Sequence, residues 1–315
     1  MTKISFKNTG DLTVTQAFED FLEHCKIKNL RADTIKGYKG HFTIFNRFLD
    51  NDAMMISEID YQTVGKFVLE LRSDNCNEIT VNSYLRGVRV FLYYCMEVGY
   101  LDRFKITIPK ADKKLKETYT DAELKVLLKK PDLKNCDFSE YKIWVFSNYL
   151  LGTGNRISTA LDLKIEDIDF ANNLIQLNHT KNRTSQLIPL SPMLDKILKE
   201  YLRYRKGEPK DYVFCNSFGG KWDKRTCQEM LAAYNRGKGV EKTSAHLYRH
   251  TFAKKWILNG GDIFRLQKVL GHSDLAVVKE YVQMFGNDLA VDFDKFNPLD
   301  RTVAPNGSKK LTMTL

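Results

Sequence analysis

The chain has 315 residues, of which 43% are hydrophobic and 12% aromatic, so it is long enough for about two domains with apolar cores. Its formal net charge of +10 favours a polyanionic partner such as nucleic acid. No run approaches the roughly 18 apolar residues of a membrane span, and the first residues lack the apolar stretch of a signal peptide. We therefore expect a cytoplasmic protein without a membrane partner, associated with the nucleoid when active.

Six cysteines are scattered along the chain without a CxxC pair. This distribution is typical of reduced thiols in a cytosolic protein, and Cys25 and Cys95 fall on apolar helical faces where burial is expected. No spacing of Cys and His resembles a zinc site, so the sequence predicts no metal.

Residues 1–100 are predicted to form a helical bundle without strands. Thr13 and Gln16 form a capping-box pattern that begins the first helix. Apolar residues at helical spacing predict three more helices, from near residue 33, over about 61–72 and over about 80–98. Gly99 is placed to end the last of them.

Residues 101–119 are predicted to be an extended, solvated linker. Helical periodicity is lost there, Pro109 disfavours a helix, and lysines gather at positions 110, 113, 114 and 116. A basic linker that crosses DNA and a plain tether between domains are equally compatible with this pattern.

Residues 120–285 are predicted to form a second, α+β domain. A capping box at Thr120 and Glu123 opens it, and residues 141–151 are apolar enough for a buried helix. Three strands are predicted at 165–170, 174–178 and 186–190, and Ser191-Pro192 begins the next helix. The expected fold class is mainly α with a small antiparallel β-sheet, followed by a polar tail at 286–315.

Four reactive side chains lie close together in the sequence near the end of this domain. His246 and Arg249 are three residues apart and share a helical face, and His272 and Tyr281 follow after short predicted helices. Two imidazoles, a guanidinium and a phenol are the groups that a metal-free attack on a phosphodiester requires.

These motifs resemble the tyrosine recombinase (phage integrase) family. The resemblance rests on HLYRH at 246–250, LGHS at 270–273 and Tyr281, nine residues after His272. Upstream, LLGTGNRIS at 150–158 resembles the first arginine motif and supplies Arg156. HTKNRTSQLIPLS at 179–191 resembles the β-hairpin lysine motif, in which Lys181 is the only lysine. The likeness is firm over 120–285 and weaker over 11–100, where the family has a helical core-binding domain.

The roles of these residues follow from the chemistry of phosphodiesters. Arg156 and Arg249 are expected to clamp the non-bridging oxygens, because a planar guanidinium binds phosphate bidentately. Tyr281 is the expected nucleophile, with His246 as the candidate base, since a phenol of pKa near 10 must lose its proton to attack. The candidate general acid is Lys181, and His272 is expected to bind the phosphate and orient Tyr281.

Each of these residues could also have a purely structural role when it is taken alone. Arg156 could cap a helix or pair with Asp162, and Tyr281 could be an ordinary core residue. One departure from the family pattern is Thr159, where many relatives carry an acidic residue near the arginine. The order and spacing of all the motifs together favour the recombinase, which by this resemblance uses a 3′-phosphotyrosyl intermediate and no cofactor.

The expected partner is double-stranded DNA carrying recombination sites. Phosphate contacts by Lys and Arg are expected to supply most of the affinity. The candidate DNA-binding residues are Lys28, Arg31, Lys36, Lys39, Arg86 and Arg89 in the first domain and Lys221, Lys224 and Arg225 in the second. The resemblance further implies a homotetramer assembled through the tail, and accessory DNA-bending or directionality proteins are possible partners.

Integration and excision of a mobile element is the function that the sequence favours. The alternative is the resolution of chromosome or plasmid dimers by the same chemistry. A type IB topoisomerase fits the compact plan and the spacing before Tyr281 less well, and a DNA-binding protein without activity fits less well because all six candidate catalytic residues are present.

Overall fold

The computed structural model describes residues 12–112, 116–178, 185–271, 275 and 279–282. The chain divides into two compact units, Met1–Lys114 and Leu115–Leu315, and each has its own apolar core. The described residues are mostly helical, with one small antiparallel sheet, which confirms the predicted fold class. None of the helices in the described ranges has the length and apolar character needed to cross a membrane.

Besides a 3-10 turn at Ile56–Glu58, the described part of the first unit is built from four α-helices. They are α1 (Val14–Ile27), α2 (Ala32–Leu49), α3 (Tyr61–Ser73) and α4 (Glu78–Val98). The predicted capping box is present, because the Thr13 side chain accepts from Gln16 N and the Gln16 side chain accepts from Thr13 N. Gly99 ends α4 in the left-handed conformation at φ 87°.

Aromatic rings fill the core of the first unit. Phe18 stacks on Phe42 with ring centroids 3.7 Å apart and meets the edge of Phe91 at 5.3 Å. Such pairs add to the free energy gained by burying the rings themselves. Cys25 and Cys95 are buried here as free thiols, as their positions on apolar faces predict.

The segment after α4 corrects the prediction of a solvated linker. Leu101 and Ile106 are buried in the first core, and Ile106 N donates to the Tyr93 hydroxyl at 3.2 Å. The Asn82 side chain donates to Pro109 O at 2.9 Å. The lack of helical periodicity did not reveal this burial, because an extended segment can pack against a helix through irregularly spaced apolar residues.

The second unit surrounds one buried helix. The order of its elements is α5 (Asp121–Leu127), α6 (Phe138–Thr153), α7 (Ile157–Leu161), β1 (Ile168–Asp169), β2 (Leu174–Leu177), β3 (Gln186–Pro189), α8 (Pro192–Arg205), α9 (Lys224–Gly237), α10 (Ala245–Leu258) and α11 (Ile263–Leu270). Helix α6 is apolar around most of its circumference and packs against α8, α9 and α10. It therefore fixes the frame on which the loops of this unit are held.

The sheet is antiparallel in the order β1-β2-β3, with Ile175 paired to Ile168 and to Ile188. The strand predicted at 165–170 is wrong in its first half, where residues 165–167 form a 3-10 turn. The Asp167 carboxylate accepts from Lys164 N at 2.8 Å and so stabilises the turn. This hydrogen bond uses a backbone donor that strand pairing would need, which explains why a turn forms where a strand was predicted.

Helices α2 and α4 approach each other closely at Gly87. A Cβ at this position would lie 2.0 Å from Nδ1 of His41, whereas Gly65 in α3 has open space around it. We expect Gly87→Ala to destabilise the protein by about 1–3 kcal/mol through overpacking. The matched control Gly65→Ala is expected to raise stability by about 0.5–1 kcal/mol through helix propensity alone. Thermal unfolding measures both, and equal effects of the two variants would contradict the close approach.

Candidate active site

The side chain of Arg249, on α10, lies at the centre of the site and is only 5% exposed. Its Nη1 donates to Gly154 O at 2.9 Å and its Nη2 donates to Leu270 O at 2.8 Å. These carbonyls lie at the C-terminal ends of α6 and α11, where the helix dipole carries partial negative charge. Burial and the neighbouring Arg156 lower the pKa of Arg249 to about 10, so it stays protonated at neutral pH.

Gly154 allows the backbone to turn close to the side chains of Phe252 and Leu270. It adopts φ 63°, and a Cβ there would lie 2.6 Å from Phe252 Cδ1 and 2.9 Å from Leu270 Cδ2. The next residue, Asn155, is buried and donates to the Tyr149 hydroxyl at 2.8 Å. The glycine turn is therefore held rigidly from both sides just before Arg156.

Arg156 is half-buried at the N-cap position of α7, but its side chain forms no cap. Within the described residues, no hydrogen bond or ion pair engages its guanidinium. The structure shows no ion pair between Arg156 and Asp162, whose carboxylate pairs with Lys221. Burial lowers the pKa of Arg156, while electrostatic interaction with Tyr281 opposes that effect. Arg156 is thus a cation held beside Arg249 and Tyr281, in a position to meet an anion.

Tyr281 is 2% exposed and packs on Ala253 of α10 and on Leu266 and Leu270 of α11. Its hydroxyl oxygen lies 2.7 Å from Nδ1 of His250. Burial raises the pKa of Tyr281 above its usual value, and the charge of Arg249 acts in the opposite direction. The phenol is therefore protonated and hydrogen-bonded in the free protein.

His250 is the residue of this site that the sequence motifs did not single out. It follows Arg249 directly and lies one helical turn after His246, so its position in HLYRH was the available signal. Burial, followed by the charges of Lys116, His246 and Arg249, lowers the pKa of His250 to about 4. The imidazole is neutral at neutral pH.

Lys116 covers the other side of Tyr281. Its Nζ lies 4.5 Å from the centroid of the Tyr281 ring and 3.0 Å from Glu280 Oε2. The segment is anchored on α10, because Tyr119 is buried and its N donates to Thr251 Oγ1 at 2.8 Å. Lys116 and Tyr119 were predicted to be solvated linker residues, and the structure corrects this by placing both in the second unit.

His246 lies at the exposed end of the cluster, in the first turn of α10. Partial burial lowers its pKa, and the charges of Arg249, Lys224 and Arg156 lower it further. His246 therefore lies near the positive charges of both arginines, and it is exposed to solvent.

Lys181 and His272 lie outside the described residues, as does the predicted cap at Ser273. The base of the hairpin is described, and there Gln186 donates from Nε2 to Val269 O at 2.9 Å and to Lys268 O. The lysine hairpin is thus joined at its base to the end of α11, the helix that precedes His272. The described part of the chain contains no group of three His, Cys, Asp or Glu side chains that could hold a metal ion.

The candidate DNA-binding residues are mostly exposed cations. In the first unit, Lys28, Arg31, Lys36, Lys39 and Arg86 are exposed, and Arg89 is half-buried with its guanidinium 6.0 Å from the Tyr93 ring centroid. In the second unit, Lys224 is exposed at the start of α9, Lys221 pairs with Asp162, and Arg225 pairs with Glu229 one turn along the helix. An exposed pair contributes little to stability, so it can be exchanged for a phosphate contact.

Comparison with known proteins gives two matching family models. The phage integrase family model matches residues 118–287, and the model of the phage integrase SAM-like domain matches residues 13–115. Tyrosine recombinase XerD of Lacticaseibacillus casei is 26% identical over 290 residues, which cover 89% of this chain and 97% of the relative.

Solved structures share the fold at low identity. The Tn1549 transposon integrase, in complex with a circular intermediate DNA, has a TM-score of 0.71 at 20% identity and covers 86% of this chain and 95% of its own. The XerH site-specific recombinase, bound to a palindromic difH substrate, has a TM-score of 0.69 at 20% identity and covers 89% and 84%.

The charge of Lys116 can be tested through the pKa of His250. Because Lys116 lowers this pKa, Lys116→Met is expected to raise it, so the ring becomes protonated at a higher pH than in the native protein. Lys125→Met is the control, since Lys125 is exposed on α5 and is not among the charges that act on His250. NMR titration of the histidine rings measures the change, and an unaltered His250 pKa in Lys116→Met would contradict the contact.

Proposed function

This chain belongs to the phage integrase family and is a tyrosine-type site-specific DNA recombinase, and we propose that it cleaves and rejoins DNA through a 3′-phosphotyrosyl intermediate on Tyr281. The observation that carries this proposal is the grouping of a buried phenol, a hydrogen-bonded imidazole and two guanidinium groups in the second unit. Such a grouping offers a nucleophile and an anion site together.

The scissile phosphate is proposed to bind between Arg156 and Arg249. The buried Arg249 is held by two backbone carbonyls, and Arg156 makes no hydrogen bond or ion pair with the described residues, so a phosphate bound here would meet two guanidinium groups held close together. Guanidinium groups in fixed positions stabilise the charge that develops on the non-bridging oxygens. We propose that the exposed His246 binds the same phosphate together with His272.

In the proposed reaction, Tyr281 Oη attacks phosphorus and the bond from phosphorus to the 5′-oxygen breaks. The leaving 5′-oxygen takes a proton from Lys181, the candidate general acid. The new phosphotyrosyl bond conserves the energy of the broken one, so a 5′-hydroxyl from another strand can reverse the step without ATP. This chemistry requires neither a metal nor a cofactor.

DNA binding is proposed to depend on exposed cations of both units. The lysines and arginines at the start of α2, along α4 and at the start of α9 are mostly exposed, and we propose that they contact phosphates. The similar Tn1549 integrase and XerH were solved in complexes with DNA, which supports the same partner here. A homotetramer joined through residues 286–315 remains a proposal from family resemblance.

Two biological roles fit the same chemistry. Integration and excision of a mobile element is the role predicted from the sequence, and the Tn1549 integrase is a neighbour in fold. Resolution of DNA dimers is the second role, and the identity to a XerD recombinase over most of both chains favours it slightly. A plasmid carrying the ends of a neighbouring mobile element and one carrying two copies of a chromosomal recombination site separate the roles by which of them recombines.

The nucleophile can be tested with nicked suicide substrates, which trap the covalent protein–DNA adduct. Tyr281→Phe removes the attacking oxygen, so we expect no adduct while the affinity for DNA stays within a few-fold of the native value. Tyr204→Phe is the control, since Tyr204 is an exposed tyrosine of α8, and it is expected to form adduct normally. An adduct formed by Tyr281→Phe would show that another residue is the nucleophile.

A further inference from the structure

We propose that His250, rather than His246, is the catalytic residue that orients Tyr281 and takes its phenolic proton during attack. This inference rests on the proposed function, because it assigns a partner to the nucleophile of that reaction. The base expected from the sequence was His246, on the same helix one turn earlier.

The geometry carries the assignment. Nδ1 of His250 lies 2.7 Å from Tyr281 Oη, within the range of a normal hydrogen bond between a hydroxyl and a ring nitrogen. The two rings are tilted by 49° with centroids 5.7 Å apart, so they meet through their polar edges rather than by stacking. His246, in contrast, is exposed at the first turn of α10 among the cations proposed to bind phosphate.

Packing holds this pair in one arrangement. His250 is half-buried on α10, where Tyr248 and Thr251 anchor the helix to the segment before α5. Tyr281 is buried against α10 and α11, and Lys116 lies over its ring. The phenol is therefore oriented before DNA arrives, which reduces the entropy cost of reaching the attack geometry.

Burial sets the protonation states of this pair first, and several charged groups around it act in addition. His250 faces Lys116 from the segment before α5, His246 and Arg249 from α10, and Tyr281 from the last described helix. Tyr281 is influenced in addition by Arg156 and Glu280. Burial and then these cations keep His250 neutral, and in the tautomer with its proton on Nε2 the Nδ1 lone pair accepts from the Tyr281 hydroxyl. A phosphate bound at the two arginines offsets those cations and makes His250 a stronger base.

The step balances in protons and electrons. As the Tyr281 Oη lone pair forms the bond to phosphorus, the phenolic proton moves to Nδ1 of His250, and the positive charge on the ring is stabilised by the phosphate. The bond from phosphorus to the 5′-oxygen breaks, and that oxygen receives its proton from the general acid. In the reverse reaction, His250 returns the proton to the departing phenol.

The test compares single-turnover adduct formation by the full-length protein and by His250→Asn across the pH range. Asparagine retains a polar group near the position of Nδ1 but cannot take a proton. We expect His250→Asn to lose about 100-fold or more near neutral pH, in the range typical of a lost general base. Its rate should rise about tenfold per pH unit, because only the ionised phenol then attacks, while the native rate stays nearly flat over the same range.

Further comparisons separate a lost base from misfolding and from a lost general acid. DNA affinity and thermal unfolding show whether His250→Asn is folded, and a fluorinated tyrosine of lower pKa at position 281 should restore its cleavage. With a sulfur atom in place of the bridging 5′-oxygen, the leaving group needs no proton, so this substrate should rescue Lys181→Ala but not His250→Asn. His246→Asn is the matched variant on the same helix, and its pH profile should keep the native shape.

A native rate in His250→Asn, a native-shaped pH profile in that variant, or its rescue by the sulfur substrate would each overturn the assignment. If Tyr281→Phe forms no adduct, each of these outcomes refutes the role of His250 and leaves Tyr281 as the proposed nucleophile. An adduct formed by Tyr281→Phe would instead refute the proposed nucleophile and the inference with it.

Discussion

The second unit depends on the way in which it buries one guanidinium group. A buried charge is strongly unfavourable unless it is hydrogen-bonded, and Arg249 meets this requirement through the carbonyls of Gly154 and Leu270. Each carbonyl ends a helix, so the arginine stabilises the C-terminal ends of α6 and α11 while they stabilise its charge. Three helices must therefore meet at one point, and the turn that leads to Arg156 begins there.

The same constraint shapes the electrostatics of the site. Arg249 uses neutral carbonyl partners at these two bonds, and Arg156 has no hydrogen bond or ion pair with the described residues, so positive charge accumulates beside Tyr281. That charge helps to keep His250 neutral and opposes the rise in the pKa of Tyr281 that burial causes. The described residues thus gather positive charge beside Tyr281, and a DNA phosphate has the charge and the oxygen atoms to bind there.

Much of this could be predicted because the sequence marks it with local chemistry. The capping boxes at Thr13 and Thr120 and the Ser191-Pro192 start each lie at the predicted helix boundary. Arg156, Arg249 and Tyr281 were identified from motif order and the structure brings them together, while their roles stay proposals. His250 and Lys116 were missed because their importance depends on contacts across 31 residues and more than 160 residues, which no local pattern contains. The 3-10 turn at 165–167 was missed because the Asp167 carboxylate accepts a hydrogen bond from Lys164 N, a backbone donor that a strand would use for pairing.

The most direct test of this account is the Arg249→Lys variant, measured by single-turnover cleavage and by DNA affinity. A lysine keeps the charge but cannot hold two helix ends and a phosphate with one planar group. We predict a loss of about 100-fold or more in cleavage with little change in affinity, whereas Arg236→Lys, on the exposed end of α9, should cleave normally. Cleavage by Arg249→Lys within a few-fold of the native rate would contradict the claim that this guanidinium organises the site.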